Sequence, residues 1–98
     1  MVEETFSGNV GTRGNQAPSA DHAINVAGLG TISAQLTWKG KGNLHLELYD
    51  GNGNLLASAS AGASPESLRY GTSGVGQYTL RVLAVDGRGK YTLTVRHP

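Results

Sequence analysis

The sequence predicts an all-β fold: an antiparallel β-sandwich, jelly-roll-like, of about eight short strands. Three observations carry that expectation. Apolar and polar residues alternate at a period of two in one segment after another. In Lys90–Arg96, for example, Tyr91, Leu93 and Val95 interleave with Lys90, Thr92, Thr94 and Arg96, which sets an apolar row on one face and a solvated row on the other. Clusters of Gly, Asn, Asp and Pro recur at roughly the 8–12-residue spacing of sandwiches and barrels. No stretch sustains a helical period.

The elements follow in order. Glu3 to Val10 reads as a short strand with Phe6 as its large apolar anchor, and Gly11 to Ser19 as a loop rich in Gly, Asn and Pro. Asp21 to Ala27 is a strand whose His22, Ile24 and Val26 share a face, and Gly28-Leu29-Gly30 turns the chain. Thr31 to Trp38 alternates cleanly, with Ile32, Ala34, Leu36 and Trp38 on one side. Lys39-Gly40-Lys41-Gly42 is a turn with two exposed ammonium groups. In Asn43 to Tyr49, Leu44, Leu46 and Leu48 point one way, and His45, Glu47 and Tyr49 the other.

Asp50 to Asn54 turns the chain into a return strand, Leu55 to Ser58, and Ser58 to Ser64 reads as a small, polar, flexible loop. Ser64-Pro65-Glu66 suits a helix start, but Ser67-Leu68-Arg69-Tyr70 is too short to continue one, so a strand is expected there. Gly71 to Gly76 is a Gly-rich loop. Gln77 to Arg96 reads as a hairpin about Asp86-Gly87, a pair that tolerates positive φ. Its first arm is apolar on both faces at Leu83 and Val85, the mark of a central strand. The inward rows are then Ile24/Val26, Ile32/Leu36, Leu44/Leu46/Leu48, Leu68/Tyr70, Tyr78/Leu80/Val82 and Tyr91/Leu93/Val95.

Composition narrows the function. With 98 residues the chain reads as one domain, 1–98, of a kind excised from a larger secreted protein. A net charge of +1 with eight scattered Lys and Arg offers no field for nucleic acid or acidic lipid. No Cys means no disulfide and no thiolate chemistry. Met1-Val2-Glu3-Glu4 is acidic with no apolar run behind it, so no signal peptide and no membrane span are read.

Catalytic patterns fail in turn. His22, His45 and His97 have no motif around them, and no Gly-x-Ser-x-Gly elbow exists. Ser19, Asp21 and His22 form a local cluster for which capping and hydrogen bonding suffice. Asp50-x-Asn52-x-Asn54 spaces oxygen ligands as calcium loops do, but Leu55 stands where such a loop needs Gly and Ala61 where it needs Glu. A hairpin turn is the better reading, and no cofactor or metal is expected. The 71–76 loop lacks the Lys-Ser/Thr of a phosphate cradle.

Aromatic side chains remain. Tyr49 is out of phase with the leucines and so exposed, beside His45 and Glu47; such a ring can stack on a sugar or on Pro. The competing reading is a solvated face with Glu47 paired to Arg81 across the strands. Trp38 is in core phase at a strand end, either a core residue or, where its ring reaches the rim, added apolar area. The candidate ligand-binding residues are Tyr49, His45, Glu47 and Trp38.

Phe6-Ser7-Gly8, Asp21 to Val26, Gly30 to Trp38, Leu44 to Gly53, Glu66 to Tyr70, Gly76-Gln77-Tyr78-Thr79-Leu80-Arg81-Val82 and Gly89 to Val95 follow one another in an order that resembles the bacterial pre-peptidase C-terminal domain and, more distantly, the collagen-binding domains of clostridial collagenases. The resemblance spans nearly the whole chain and rests on structural motifs: a Gly-Tyr strand start, a Tyr-Thr-Leu-x-Val strand and an Asp-x-x-Gly turn. It implies a non-catalytic accessory domain of a secreted bacterial hydrolase, a peptidase or glycoside hydrolase, binding an extracellular polysaccharide or collagen-like polymer. The alternative it implies is a structural spacer or an intramolecular folding or maturation domain with no ligand. The expected partners are that polymer and an adjacent catalytic domain in the same chain; the expected state is a secreted monomer. The collagen-binding relatives carry calcium, and Asp21 matches one of their acidic positions, while the acidic segment before the first strand is reduced to Glu3 and Glu4.

Overall fold

The computed structural model describes residues 2–12, 17–60 and 64–98. It holds eight strands: β1 (Val2–Gly11), β2 (Ser19–Val26), β3 (Gly30–Lys39), β4 (Asn43–Tyr49), β5 (Leu55–Ala59), β6 (Glu66–Thr72), β7 (Gly76–Asp86) and β8 (Arg88–His97). They form two antiparallel four-stranded sheets, β1-β8-β3-β6 and β2-β7-β4-β5, the layering of a jelly roll. Residues 13–16 of the loop expected over 11–19, and 61–63 of that expected over 58–64, lie outside the described residues. No helical turn forms at Ser64-Pro65-Glu66; β6 begins at Glu66.

The core lies between the sheets and takes its apolar side chains from the inward rows. Ile32, Leu36, Leu44, Leu46, Leu48, Leu80, Val82, Leu93 and Val95 are all fully buried. The expected rows hold, with Tyr70 only half-buried. They omitted Val10, Ala84 and His97, which are also buried. Val10 closes β1 on the same inner face as Phe6, and His97 Nε2 lies 2.6 Å from Glu4 Oε2 at the far end of the β1–β8 pair.

Phe6, His22 and Tyr91 close one edge of the sandwich, where β1 and β2 approach. The Phe6 and His22 rings stack with centroids 4.5 Å apart, and His22 Nε2 is 2.7 Å from the Tyr91 hydroxyl. Gly8 makes room for this: a Cβ there would sit 2.8 Å from the Tyr91 hydroxyl oxygen. Burial lowers the His22 pKa and raises that of Tyr91, because each charged form would lose hydration.

One expectation is overturned. Gln77 to Arg96 is not a hairpin, since β7 and β8 belong to different sheets. Each is central in its own sheet, as the doubly apolar first arm suggested for β7. Both arms carry strong apolar rows, and in separate sheets each row lines its own side of the shared core. Asp86-Gly87-Arg88 is therefore an arch between sheets. The β3–β4 turn is a second such arch, packed against the first through Gly42 N–H donating to the Arg88 carbonyl at 3.1 Å. Thr12 N–H donates to the Gly87 carbonyl at 2.9 Å and brings the end of β1 to the same place.

Candidate functional site

On β4 the three leucines fill the core, so His45, Glu47 and Tyr49 stand on the outer face of the β2-β7-β4-β5 sheet. The pairing register sets Asp21 of β2 opposite Arg81 of β7, and Arg81 opposite Glu47 of β4. Long side chains in one such row reach one another. Arg81 Nε donates to Asp21 Oδ1 at 2.8 Å and Nη2 to Oδ2 at 3.2 Å, the two-pronged fit of guanidinium to carboxylate. Its guanidinium carbon lies 4.8 Å from the centroid of the Tyr49 ring, close enough for attraction to the ring's negative face. The Tyr49 hydroxyl donates to Glu47 Oε1 at 2.6 Å.

The charges hold each other in their ionised forms. The guanidinium donated by Arg81 keeps the Asp21 carboxyl below the usual range, and the carboxylate raises the pKa of Arg81 in return. Tyr49 is held protonated by its hydrogen bond to Glu47. Because the Arg81 and Asp21 side chains remain 39% and 49% exposed, solvent screens most of that attraction, and the pair orders the face more than it stabilises the fold.

Asp21, Tyr49 and Arg81 also border a shallow hollow with Asp50, Gln77 and Thr79. Asp50 is used by its own turn: Oδ1 accepts from the backbone N–H groups of Asn52 and Asn54, each at 2.9 Å, and Oδ2 accepts from Asn54 Nδ2 at 3.1 Å. These donors lower its pKa, Asn54 most. The segment is the hairpin turn expected, between the paired strands β4 and β5.

The structure thus brings Tyr49, Glu47 and His45 to one face and leaves Trp38 elsewhere. Trp38 belongs to the opposite sheet, is half-buried against the core, and donates its Nε1–H to the Gly42 carbonyl at 2.9 Å. The Glu47–Arg81 pairing considered from sequence does not form. Arg81 turns to Asp21, and Glu47 takes the Tyr49 hydroxyl. Asp21 is therefore the member of the array that sequence reasoning did not place beside Arg81, because the two are sixty residues apart and meet only through the β2–β7 pairing.

The local cluster Ser19, Asp21 and His22 is split by the strand. Successive side chains point to opposite faces, so Asp21 meets Arg81 outside while His22 meets Tyr91 inside. A carboxylate on one face cannot orient an imidazole on the other. Among the described residues no group of three or more His, Asp or Glu side chains could hold a metal ion.

No family model matches the sequence. Solved structures do. The pre-peptidase C-terminal domain of collagenase from Bacillus anthracis aligns with a TM-score of 0.80 over 97% of this chain and 90% of that one, at 21% identity. The chain has the fold of a pre-peptidase C-terminal domain. The mitogen of Yersinia pseudotuberculosis aligns with a TM-score of 0.70 over 99% of this chain and 86% of that one, at 14% identity. A family-35 carbohydrate-binding module from Cellvibrio japonicus aligns at 0.61 over 97% and 93%, also at 14% identity. The pre-peptidase C-terminal fold is thus shared by proteins of differing roles, and a ligand has to be argued from the side chains.

Proposed function

We propose that this chain is a non-catalytic accessory module of a secreted hydrolase, and that it binds an extracellular polymer, polysaccharide or collagen-like protein, on the outer face of the β2-β7-β4-β5 sheet. The observation that carries the reading is the ordered array Asp21–Arg81–Tyr49–Glu47 beside a shallow hollow. Here Arg81 N–H groups and the two carboxylates would bind hydroxyls or amides. Tyr49 would supply a flat apolar surface on the side that Arg81 leaves open, and His45 a further polar edge. An open face of this kind suits a chain running across it better than a small molecule, which needs an enclosing cleft. The fold supports the reading by kinship of shape with a collagenase domain and a carbohydrate-binding module.

Retention on insoluble chitin, cellulose and collagen tests it. The parent is expected to co-sediment with one of the three. Tyr49→Ala and Arg81→Ala should weaken retention several-fold, since loss of stacking costs about 1 kcal/mol beyond buried area, while leaving thermal unfolding cooperative. Retention on none would assign the domain to the structural role of a spacer or folding domain. Binding that both variants keep unchanged would move the site off this face.

A further inference from the structure

Half of the chain's Lys and Arg residues meet at one end of the sandwich. The arches β3–β4 and β7–β8 enclose a hollow of about 890 Å³ lined by Lys39, Lys41, Arg88 and Lys90, with Asp86, Asn9 and glycines of the two turns. Four cations against one carboxylate give the lining a formal +3, while the whole chain carries only +1. In sequence the four fall into two groups nearly fifty residues apart; the fold makes them one patch.

Two features show that this concentration is not internal charge pairing. Among the described residues, the ion pairs are Arg81 with Asp21, Arg96 with Glu3 and His97 with Glu4, and none involves these four. Lys39 and Lys90 are moreover direct cross-strand partners in the β3–β8 register, an arrangement of like charges that opposes folding. The support beneath is rigid. Gly42 N–H bonds to the Arg88 carbonyl, and Trp38 Nε1–H bonds to the Gly42 carbonyl. A Cβ on Gly89 would touch both Leu44 and Trp38, so the floor of the hollow sits directly on the core.

We infer that this basic hollow is a binding site for an acidic polysaccharide, one bearing carboxylate or sulfate groups. The cations would meet the anionic groups, while Asn9, Asp86 and the exposed backbone of the glycine turns would meet hydroxyls. Acidic glycan fits the lining better than its rivals. Single-stranded nucleic acid needs aromatic platforms for its bases along a basic track, and Trp38 is committed to the core side. A membrane surface needs apolar side chains to insert, and none lines the hollow. The site is independent of the sheet-face reading. It lies at the Asn43 end of β4 and the Tyr49 array at the other, about 20 Å away at the rise of a strand.

Binding of soluble polygalacturonate and dextran sulfate to the full chain, with neutral dextran as control, tests the inference by calorimetry at low and high salt. The parent should bind one or both acidic polymers and ignore dextran, with affinity falling steeply as salt screens the charges. A K39Q/K41Q/R88Q/K90Q variant should bind about tenfold or more weaker, with its melting temperature unchanged or raised. Arg69→Gln, which removes a cation outside the hollow, should bind as the parent does, which separates this site from a mere change in net charge. The inference is overturned if acidic polymers bind no better than dextran, or if the fourfold variant binds as the parent does. Tighter binding of oligo-dT or of phosphatidylserine vesicles than of either acidic glycan would overturn it too, by giving the hollow to a phosphate polymer or a lipid surface.

Discussion

The sheet face and the arch end handle charge in opposite ways. On the face, each charge has a protein partner: Asp21 takes Arg81, Arg81 also leans on Tyr49, and Tyr49 takes Glu47. At the arch end, four cations share one carboxylate and two of them face each other across strands. Paired charges spend their attraction on holding a geometry, so a ligand meets a preset pattern of donors and acceptors. Unpaired charges leave their attraction available, at some expense to the fold, and attract over longer range. The two regions therefore call for different partners even though they ride on the same core.

Removing that shared core is the largest perturbation. Leu80 sits beneath the Arg81 strand and Leu93 beneath the Lys90 strand, both fully buried. Leu80→Ala and Leu93→Ala should each cost roughly 2–5 kcal/mol in chemical denaturation. Thr92→Ala, on the solvated side of the same strand, should cost far less. Equal losses at Leu93 and Thr92 would contradict the phase of β8.

The arch end can be broken without touching a charge. A Cβ on Gly42 would fall on the Arg88 backbone carbonyl, and one on Gly87 would sit 3.0 Å from the Gly42 Cα. Both obstacles are main chain, so no side-chain rotation relieves them. Gly42→Ala should cost about 1–3 kcal/mol, as overpacking does, and should weaken acidic-glycan binding while sparing the Tyr49 face. A variant as stable as the parent would show that the two arches are not locked together.

These contrasts show what was legible in the sequence. The phase of a strand is a local property, so Leu44, Leu46 and Leu48 could be set inside and Tyr49 outside from seven consecutive residues. Which strand lies beside which is not local. The Asp86-Gly87 turn has hairpin chemistry, yet it joins two sheets, with the apolar rows of β7 and β8 on opposite sides of the core. The same blindness hid both charge patterns. Lys39 and Lys90 read as scattered until β3 paired with β8, and Asp21 read as part of a local cluster with Ser19 and His22 until β2 paired with β7. Trp38 had the right phase, but nothing local revealed that its indole N–H supports the Gly42 turn.

Acidity should act on the closed edge before it acts on the face. The His22 pKa is lowered by burial, so between its ordinary value of about 6.5 and its folded value the unfolded chain binds more protons. Stability from neutral His22 is then fully present above about pH 6.5 and is lost as pH falls below it. The depressed Asp21 carboxyl contributes stability present above about pH 4, the ordinary carboxylate value, and lost only as pH falls further. The melting temperature should accordingly drop in two stages from pH 7.5 to 3. His22→Gln should remove the upper stage alone. A profile unchanged by that substitution would place the acid-sensitive group elsewhere.

The smallest effects discriminate most sharply, because they differ in sign. Asp21→Asn breaks a two-pronged ion pair whose members are half in solvent, so it should destabilise by up to about 1 kcal/mol. Lys90→Gln removes one member of a like-charged cross-strand pair, so it should stabilise by a few tenths of a kcal/mol to about 1 kcal/mol. Both shifts come from exposed charges and should shrink together in ~1 M salt, where the Debye length is about 3 Å. Urea denaturation of the two variants and the parent at low and high salt reads all of this in one series. If Lys90→Gln destabilises at low salt as Asp21→Asn does, Lys90 has a stabilising partner within the fold, and the arch end is not a reserve of unpaired charge. If it stabilises, and the gain vanishes in salt, the repulsion is real and its relief by an anionic chain becomes the simplest reason for four cations to converge on that hollow.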